Sequence, residues 1–174
     1  ASGFMLDVSD ELPDSFIRQM RTTVKEKTGG EGAVIGEVWE DASNKCSYGN
    51  YRDFMLGNTH DSVMGYTFRH ILLDFLAGYI DAEIANTRFE GFRERYPKEA
   101  YYSMMNLVSS HDVPRIMTML SRPEDTDDRD IQRGFKVDPM YYDAVSALSK
   151  MAFAFQTCYI GASCIYYGDE ILME

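Results

Sequence analysis

Apolar residues in this chain alternate between two arrangements. Short, mainly apolar runs occur at Phe4 to Val8, Ala33 to Val38, Tyr102 to Val108 and Tyr159 to Tyr167, with a briefer one at His60 to Met64. Between them lie longer stretches whose apolar positions fall three or four apart. Continuous apolar runs suit strands buried on both faces, and the three-to-four spacing suits amphipathic helices. After the first run, Asp10 to Pro13 lead into a predicted helix with Phe16, Ile17, Met20 and Val24 on one face, broken at Thr28-Gly29-Gly30-Glu31-Gly32. Phe68 to Ile84 and Tyr141 to Thr157 are predicted helices, the latter carrying Val145, Leu148, Met151, Ala152 and Phe155 on its buried face.

Arg88 to Ala100 reads as a further helix with a connection, and Arg115 to Leu120 as a helical turn. Asp41 to Asn58 and Ser121 to Gly134 are polar and rich in turn formers, so loops are expected there. Strand and helix thus repeat in order, which predicts an α/β fold with a parallel sheet and outer helices. Five strands make about five-eighths of an eightfold barrel.

Composition narrows the function. The chain has 174 residues, 45% of them hydrophobic, enough for one core. With 28 Asp and Glu against 17 Lys and Arg, the formal charge is −11. That balance repels a nucleic-acid backbone, and no basic run is present to track phosphates. No stretch approaches the roughly 18 consecutive apolar residues of a membrane span. A neutral ligand fits the charge, as does a solvated acidic surface. Cys46, Cys158 and Cys164 are odd in number and lack metal-type spacing, which favours free thiols and a reducing compartment such as the cytoplasm; Cys158 and Cys164 are expected in the core. Ala1 already leads into a strand and Glu174 follows one closely, so the sequence reads as part of a longer chain.

The candidate chemistry sits where the runs end. Gly3-Phe4-Met5-Leu6-Asp7-Val8, Ile35-Gly36-Glu37-Val38-Trp39, Val108-Ser109-Ser110-His111-Asp112 and Ile165-Tyr166-Tyr167-Gly168-Asp169-Glu170 each close on acids. Parallel strands deliver such residues to one rim, where barrel enzymes keep their sites. Two carboxyl groups about 5–5.5 Å apart can cleave a glycosidic bond with retention. Asp7 alone has a plainer reading as a helix cap. Glu37 has little plain explanation, because an acid ending an apolar strand is costly to bury unpaired. Asp169 and Glu170 read as structural, as do His60 and His70. Tyr101-Tyr102 and Tyr141-Tyr142 read as packing, and the methionines as core.

Taken together and in this order, the four strings resemble the signature regions of the α-amylase family, glycoside hydrolase family 13. Gly36-Glu37-Val38-Trp39 and Asp61-Ser62-Val63-Met64 are most similar to its neopullulanase, cyclomaltodextrinase and maltogenic-amylase branch. The resemblance runs over essentially the whole chain and implies the fourth to eighth βα units of a (β/α)8 barrel, residues 1–174 being its C-terminal portion. It implies Asp7 as nucleophile, Glu37 as acid/base and Asp112 as stabiliser of the transition state. His111 would hold sugar hydroxyls and Trp39 would stack on a glucose, or else simply pack. The implied activity is retaining hydrolysis of α-1,4, and in some members α-1,6, bonds in maltodextrins, cyclodextrins or pullulan. No cofactor is implied. The resemblance allows calcium in a full-length parent, but its ligands, where the family has them, come partly from a region absent here, so no metal is assigned.

The departures from the family pattern matter as much. Met5 stands where the family has an arginine that orients the nucleophile; an opposite charge there lowers a carboxylate's pKa and a thioether does not. Gly65-Tyr66-Thr67 replaces a usual Asn-Tyr-Pro, and Ser2, Ser163 and Leu172 also depart. The alternative function is therefore a catalytically silent half-barrel that at most binds α-glucan or self-associates. The first and last strands would be unpaired edges, which predicts homo-oligomers.

Overall fold

β1 (Gly3–Leu6) and β2 (Ala33–Gly36) run in parallel with Gly3 opposite Ala33 and Leu6 opposite Gly36, and the rest of the sheet extends from this pair. The structure is a computed structural model describing residues 2–123 and 126–174. Ala1, Glu124 and Asp125 lie outside them, the last two belonging to the second expected loop. Between β1 and β2 runs α1 (Asp14–Thr28). After β2 come a small hairpin, β3 (Cys46–Ser47) with β4 (Asn50–Tyr51), and then β5 (Ser62–Val63). Helices α2 (Tyr66–Leu76), α3 (Ala82–Arg95) and α4 (Lys98–Tyr102) lead to β6 (Met105–Leu107). Helices α5 (Ile116–Ser121), α6 (Arg129–Gly134) and α7 (Tyr142–Cys158) precede β7 (Ala162–Cys164).

The sheet order is β1-β2-β5, and a parallel bridge between Met64 and Met105 joins it to β6-β7. The strands β1, β2, β5, β6 and β7 are all parallel, so their C-terminal ends share one rim. The described strands form an open sheet with β1 and β7 outermost. This is the α/β arrangement the alternation of runs predicts.

Strand side chains alternate between faces. Val34, Leu6 and Val63 enter the main core with Ile17 and Val24 of α1, Phe68 and Leu72 of α2 and Val145 and Ala152 of α7. A smaller cluster of Met64, Tyr66 and Leu107, with Ile35, Met105 and Cys164 against it, forms a separate apolar patch. β2 is apolar throughout because both its faces are covered, whereas β5 and β6 each carry a buried polar residue, Ser62 and Asn106.

Several expectations change. The helix predicted over Phe68 to Ile84 is two helices: Gly78, at φ 74°, takes the chain out of α2, and the Asp81 carboxylate accepts from Ile84 N at 2.8 Å to cap α3. The loop Asp41 to Asn58 contains the β3-β4 hairpin, and Ser121 to Gly134 contains α6, capped by Asp128. The buried face of α7 is Val145, Ser146, Ser149, Ala152 and Gln156, while Met151 and Phe155 are exposed. Polar Gln156 wins a core place because its Nε2 donates to Asn106 O and Cys164 O, both at 2.9 Å, across β6 and β7. Phe16 and Cys158 are exposed too, since each falls just off the face its helix buries. Met119 and Met140 are likewise outside the core.

Two charged groups fasten the loops. Asp61 accepts from Val34 N at 2.8 Å and from Arg21 at 2.9 Å, and pairs with Lys25 at 2.9 Å, tying α1 to the sheet. Burial pushes its carboxyl up, yet the Lys25, Val34 and Arg21 hydrogen bonds outweigh burial and hold it below the usual range. Arg52 reaches from the loop to Asp14 Oδ1 at 2.8 Å and Asp10 O at 2.7 Å.

His60 is the structural histidine expected, with its ring under the end of β2. A Cβ on Gly36 would come within 2.6 Å of its Nε2, and that nitrogen lies 3.2 Å from Ser9 Oγ. Burial, helped by the Arg52 charge, pulls its pKa down to about 4. The unfolded chain binds this proton more tightly than the folded one. Stability is therefore complete above pH about 6.5 and is lost as the pH falls toward 4, by about 3 kcal/mol. Urea midpoints measured from pH 7 to 4 should fall over that window, and His60→Gln should flatten the slope there. An unchanged slope in His60→Gln would exclude this histidine as its source.

Candidate active site

The β1–β2 register continues one step past Leu6 and Gly36, and that step brings Asp7 and Glu37 together. Glu37 N donates to Leu6 O at 2.9 Å, and Val8 N donates back to Glu37 Oε2 at 2.9 Å. The two backbones thus clasp each other on either side of Asp7. Val8 achieves this in the left-handed region, φ 49° and ψ 46°, which a β-branched residue rarely adopts. Ser9 Oγ donates to Leu6 O at 2.9 Å and completes the turn. Asp7 makes no helix cap; the short 3₁₀ turn Ser9–Glu11 begins after Val8 without side-chain help.

Glu37 is only 2% exposed. Its second oxygen, Oε1, accepts from the Tyr66 hydroxyl at 3.2 Å, so both oxygens of this buried acid have neutral donors. Tyr66 Oη lies 3.0 Å from Ser110 Oγ, and Ser110 Oγ accepts from Asp112 N at 3.1 Å. Burial, with the Glu37 charge adding to it, pushes the Tyr66 hydroxyl up to about 12. It keeps its proton throughout the neutral range. Trp39 stacks on Tyr66, ring centroids 4.8 Å apart and planes 13° from parallel, and remains 41% exposed.

Across the rim, His111 Nε2 lies 3.1 Å from Asp112 Oδ2 and 3.5 Å from Asp7 Oδ1, all three side chains being exposed. When protonated, His111 is the cation between two carboxylates. Among the described residues it is the one charged partner of Asp7. Met5, on the same strand face as Asp7, is 43% exposed and brings none. One ligand atom each from Asp7, His111 and Asp112 lie within 4.8 Å of one another, so these three could approach a cation; exposed acids often cluster so without one, and no metal is assigned.

All five residues singled out in the sequence, Asp7, Glu37, Trp39, His111 and Asp112, therefore meet at one rim. Tyr66 and Ser110, which connect them, went unread as site residues. Tyr66 carried a usable signal in its place just after β5, where a strand end would put it on the same rim. Asp169, expected to be structural, is buried opposite Arg115 at 3.5 Å, and burial pushes its carboxyl up. A cavity of about 680 Å³ lined by Leu73, Met119, Ile131 and Phe135 shares no residue with the rim cluster.

A parallel sheet with acids gathered at its C-terminal rim is the arrangement in which α/β-barrel enzymes place their sites, and comparison with known proteins makes the class specific. Residues 8–174 match the family model described as alpha amylase, catalytic domain. The chain belongs to this family. It is 33% identical over 172 residues to neopullulanase 2 of Thermoactinomyces vulgaris and 32% identical over 173 residues to a cyclomaltodextrinase of a Bacillus species. These alignments cover 98% and 99% of this chain and 24% and 25% of the relatives. The chain thus spans about a quarter of the length of the curated relatives it matches. Among solved structures, the cyclic α-maltosyl-(1→6)-maltose hydrolase of Arthrobacter globiformis, in complex with maltose, superposes with a TM-score of 0.76 at 26% identity. That match covers 99% of this chain and 32% of the other.

The clasp at Val8 predicts an ordered pair of variants. Val8→Gly relieves the left-handed conformation and should leave unfolding free energy within about 1 kcal/mol, strain relief and added chain entropy nearly cancelling. Val8→Pro cannot reach φ 49° and removes the donor to Glu37, and should cost about 3 kcal/mol or more. Urea denaturation of the three proteins measures both; equal loss in Gly and Pro would mean the Val8 side chain, not its backbone, matters.

Proposed function

We propose that this chain carries the reacting carboxylates of a retaining α-glucan hydrolase. The carrying observation is buried Glu37, whose amide donates to Leu6 O and whose carboxylate accepts from Val8 N, on either side of Asp7. In this reading, residues 1–174 are the C-terminal portion of the catalytic barrel, the fourth to eighth βα units. Asp7 attacks the anomeric carbon while protonated Glu37 gives its proton to the departing glycosidic oxygen. The glycosyl–Asp7 ester then forms, and Glu37, now a carboxylate, takes a proton from the water that displaces it. Asp112 lies against the cationic transition state, His111 holds sugar hydroxyls, and the free area of Trp39 takes the flat face of a glucose.

Relatives named cyclomaltodextrinase and neopullulanase, and a solved hydrolase of a cyclic maltosyl-maltose, support α-glucan oligosaccharides as substrate. The bonds cut would be α-1,4, with α-1,6 as a second specificity. One observation favours the silent alternative: among the described residues Asp7 has His111 and no guanidinium beside it, which leaves the nucleophile without a fixed cationic partner there. The outer strands β1 and β7 are where further polypeptide, from a longer chain or a second copy, would pair. A monodisperse monomer in sedimentation at micromolar concentration would rule out the second copy.

Turnover of β-cyclodextrin and maltotriose tests the reading directly. Glu37→Gln should lower it by about a thousandfold, the scale of a lost general acid. Met5→Arg should raise it at least about tenfold by orienting Asp7. A folded chain with no turnover above Glu37→Gln, and none gained with Met5→Arg, would establish the silent alternative.

A further inference from the structure

The Tyr66 hydroxyl has one proton and two neighbours that can each take it. Glu37 Oε1 is 3.2 Å away and Ser110 Oγ 3.0 Å away. Val8 N already donates to Glu37 Oε2, so that oxygen serves as an acceptor and the proton of a neutral Glu37 belongs on Oε1, facing Tyr66. We propose that Tyr66 is a positioning residue for Glu37, whose hydroxyl turns from Glu37 Oε1 to Ser110 Oγ when Glu37 gains a proton and turns back when it is lost. The proposal rests on reading Glu37 as the group that carries the transferable proton.

With Glu37 ionised, Ser110 O–H donates to Tyr66 Oη and Tyr66 O–H donates to Glu37 Oε1. With Glu37 protonated, Glu37 O–H donates to Tyr66 Oη and Tyr66 O–H donates to Ser110 Oγ. Only hydroxyl rotations separate the two states; Tyr66 keeps its own proton in both. Its ring is fixed by burial and by the stack with Trp39, so the hydroxyl turns about a stationary axis. Ser110 Oγ also accepts from Asp112 N at 3.1 Å, so the state of Glu37 reaches the backbone of the other rim carboxylate through two hydroxyls. A sugar ring stacked on Trp39 would press on the same tyrosine.

The Val8 amide, donating to Glu37 Oε2, is the reporter. Its proton chemical shift, followed by NMR against pH in the full chain, gives the midpoint for Glu37, and Glu37→Gln should abolish that titration. Tyr66→Phe keeps the ring and deletes the donor to the carboxylate. Hydrogen bonds to a charged acceptor are about twice as strong as neutral ones, so the midpoint should rise by about one pH unit. Ser110→Ala removes a hydrogen bond from both states, the donor to Tyr66 Oη when Glu37 is ionised and the acceptor from Tyr66 when it is protonated, so it should move the midpoint less than Tyr66→Phe does. The Asp112 amide, which donates to Ser110 Oγ, should show a step at the Val8 midpoint that Tyr66→Phe and Glu37→Gln both remove. A purely structural role for Tyr66 carries no such step. An unmoved midpoint in Tyr66→Phe, or no step at the Asp112 amide in the unaltered chain, would overturn the proposal, and the second outcome decides it even where Tyr66→Phe fails to fold. No turnover is needed for this readout, so failure of the hydrolase reading and failure of the Tyr66 switch are separate results.

Discussion

A carboxyl group can be buried only where the protein supplies the hydrogen bonds water would have given. Glu37 meets that condition through the pairing of β1 with β2. A parallel ladder carried one residue past its last formal pair sets Glu37 N on Leu6 O, and the reversal at Val8 then turns an amide toward the acid's side chain. A shift of one residue in register would face Glu37 to the helices and leave the clasp without either partner. The strained backbone at Val8 is the cost of making both bonds at once. It is offset where the chain has most to lose, since an orphaned acid in a dry site costs more than one left-handed residue.

Everything that fixes this register lies below the rim. Asp61 binds α1 and Val34 together, His60 fills the space that a side chain at position 36 would need, and Ser9 joins His60 to Leu6 O. These are polar groups doing work that apolar packing cannot, because apolar contacts tolerate a slide and hydrogen bonds do not. The same logic recurs at the far side, where Gln156 bridges Asn106 and Cys164 and thereby sets β6 against β7. Arg69, buried in α2 and donating to Val108 O at 2.9 Å, fastens the strand end that leads to His111 and Asp112. The acids on the rim are thus held by buried polar side chains a turn or more beneath them.

That division explains what the sequence discloses. Apolar runs reveal the strands and their order, since a strand covered on both faces has few other ways to be written. Acids at the ends of those runs disclose Asp7, Glu37 and Asp112 for the same reason. Element ends were less legible: a helix over Phe68 to Ile84 has good periodicity throughout, and only the positive φ of Gly78 and the cap at Asp81 divide it. The face of α7 was misread because Gln156 and Ser149 are buried for the partners they bond, which hydropathy does not record. Tyr66 escaped for a related reason. A tyrosine after a strand looks like packing until its hydroxyl is seen between two partners.

The asymmetry between the two principal acids has a physical consequence for how the site would work. Among the described residues, exposed Asp7 has one charged partner, a histidine that is itself half exposed, so its geometry depends on His111 and on whatever occupies the cleft. Glu37 is enclosed by neutral donors, a fixed amide at Val8 and, at Tyr66, a hydroxyl free to turn with its proton. A group that must give up and retake a proton benefits from neighbours that rotate, because each protonation state then finds its own hydrogen bonds at little cost. A group that must attack along one line benefits instead from a rigid charged partner, which polarises and aims it without exchanging protons. The site has the first arrangement in full around Glu37. Around Asp7 it has Met5 where the family resemblance implies an arginine, so the precision available to this cleft is set at Asp7.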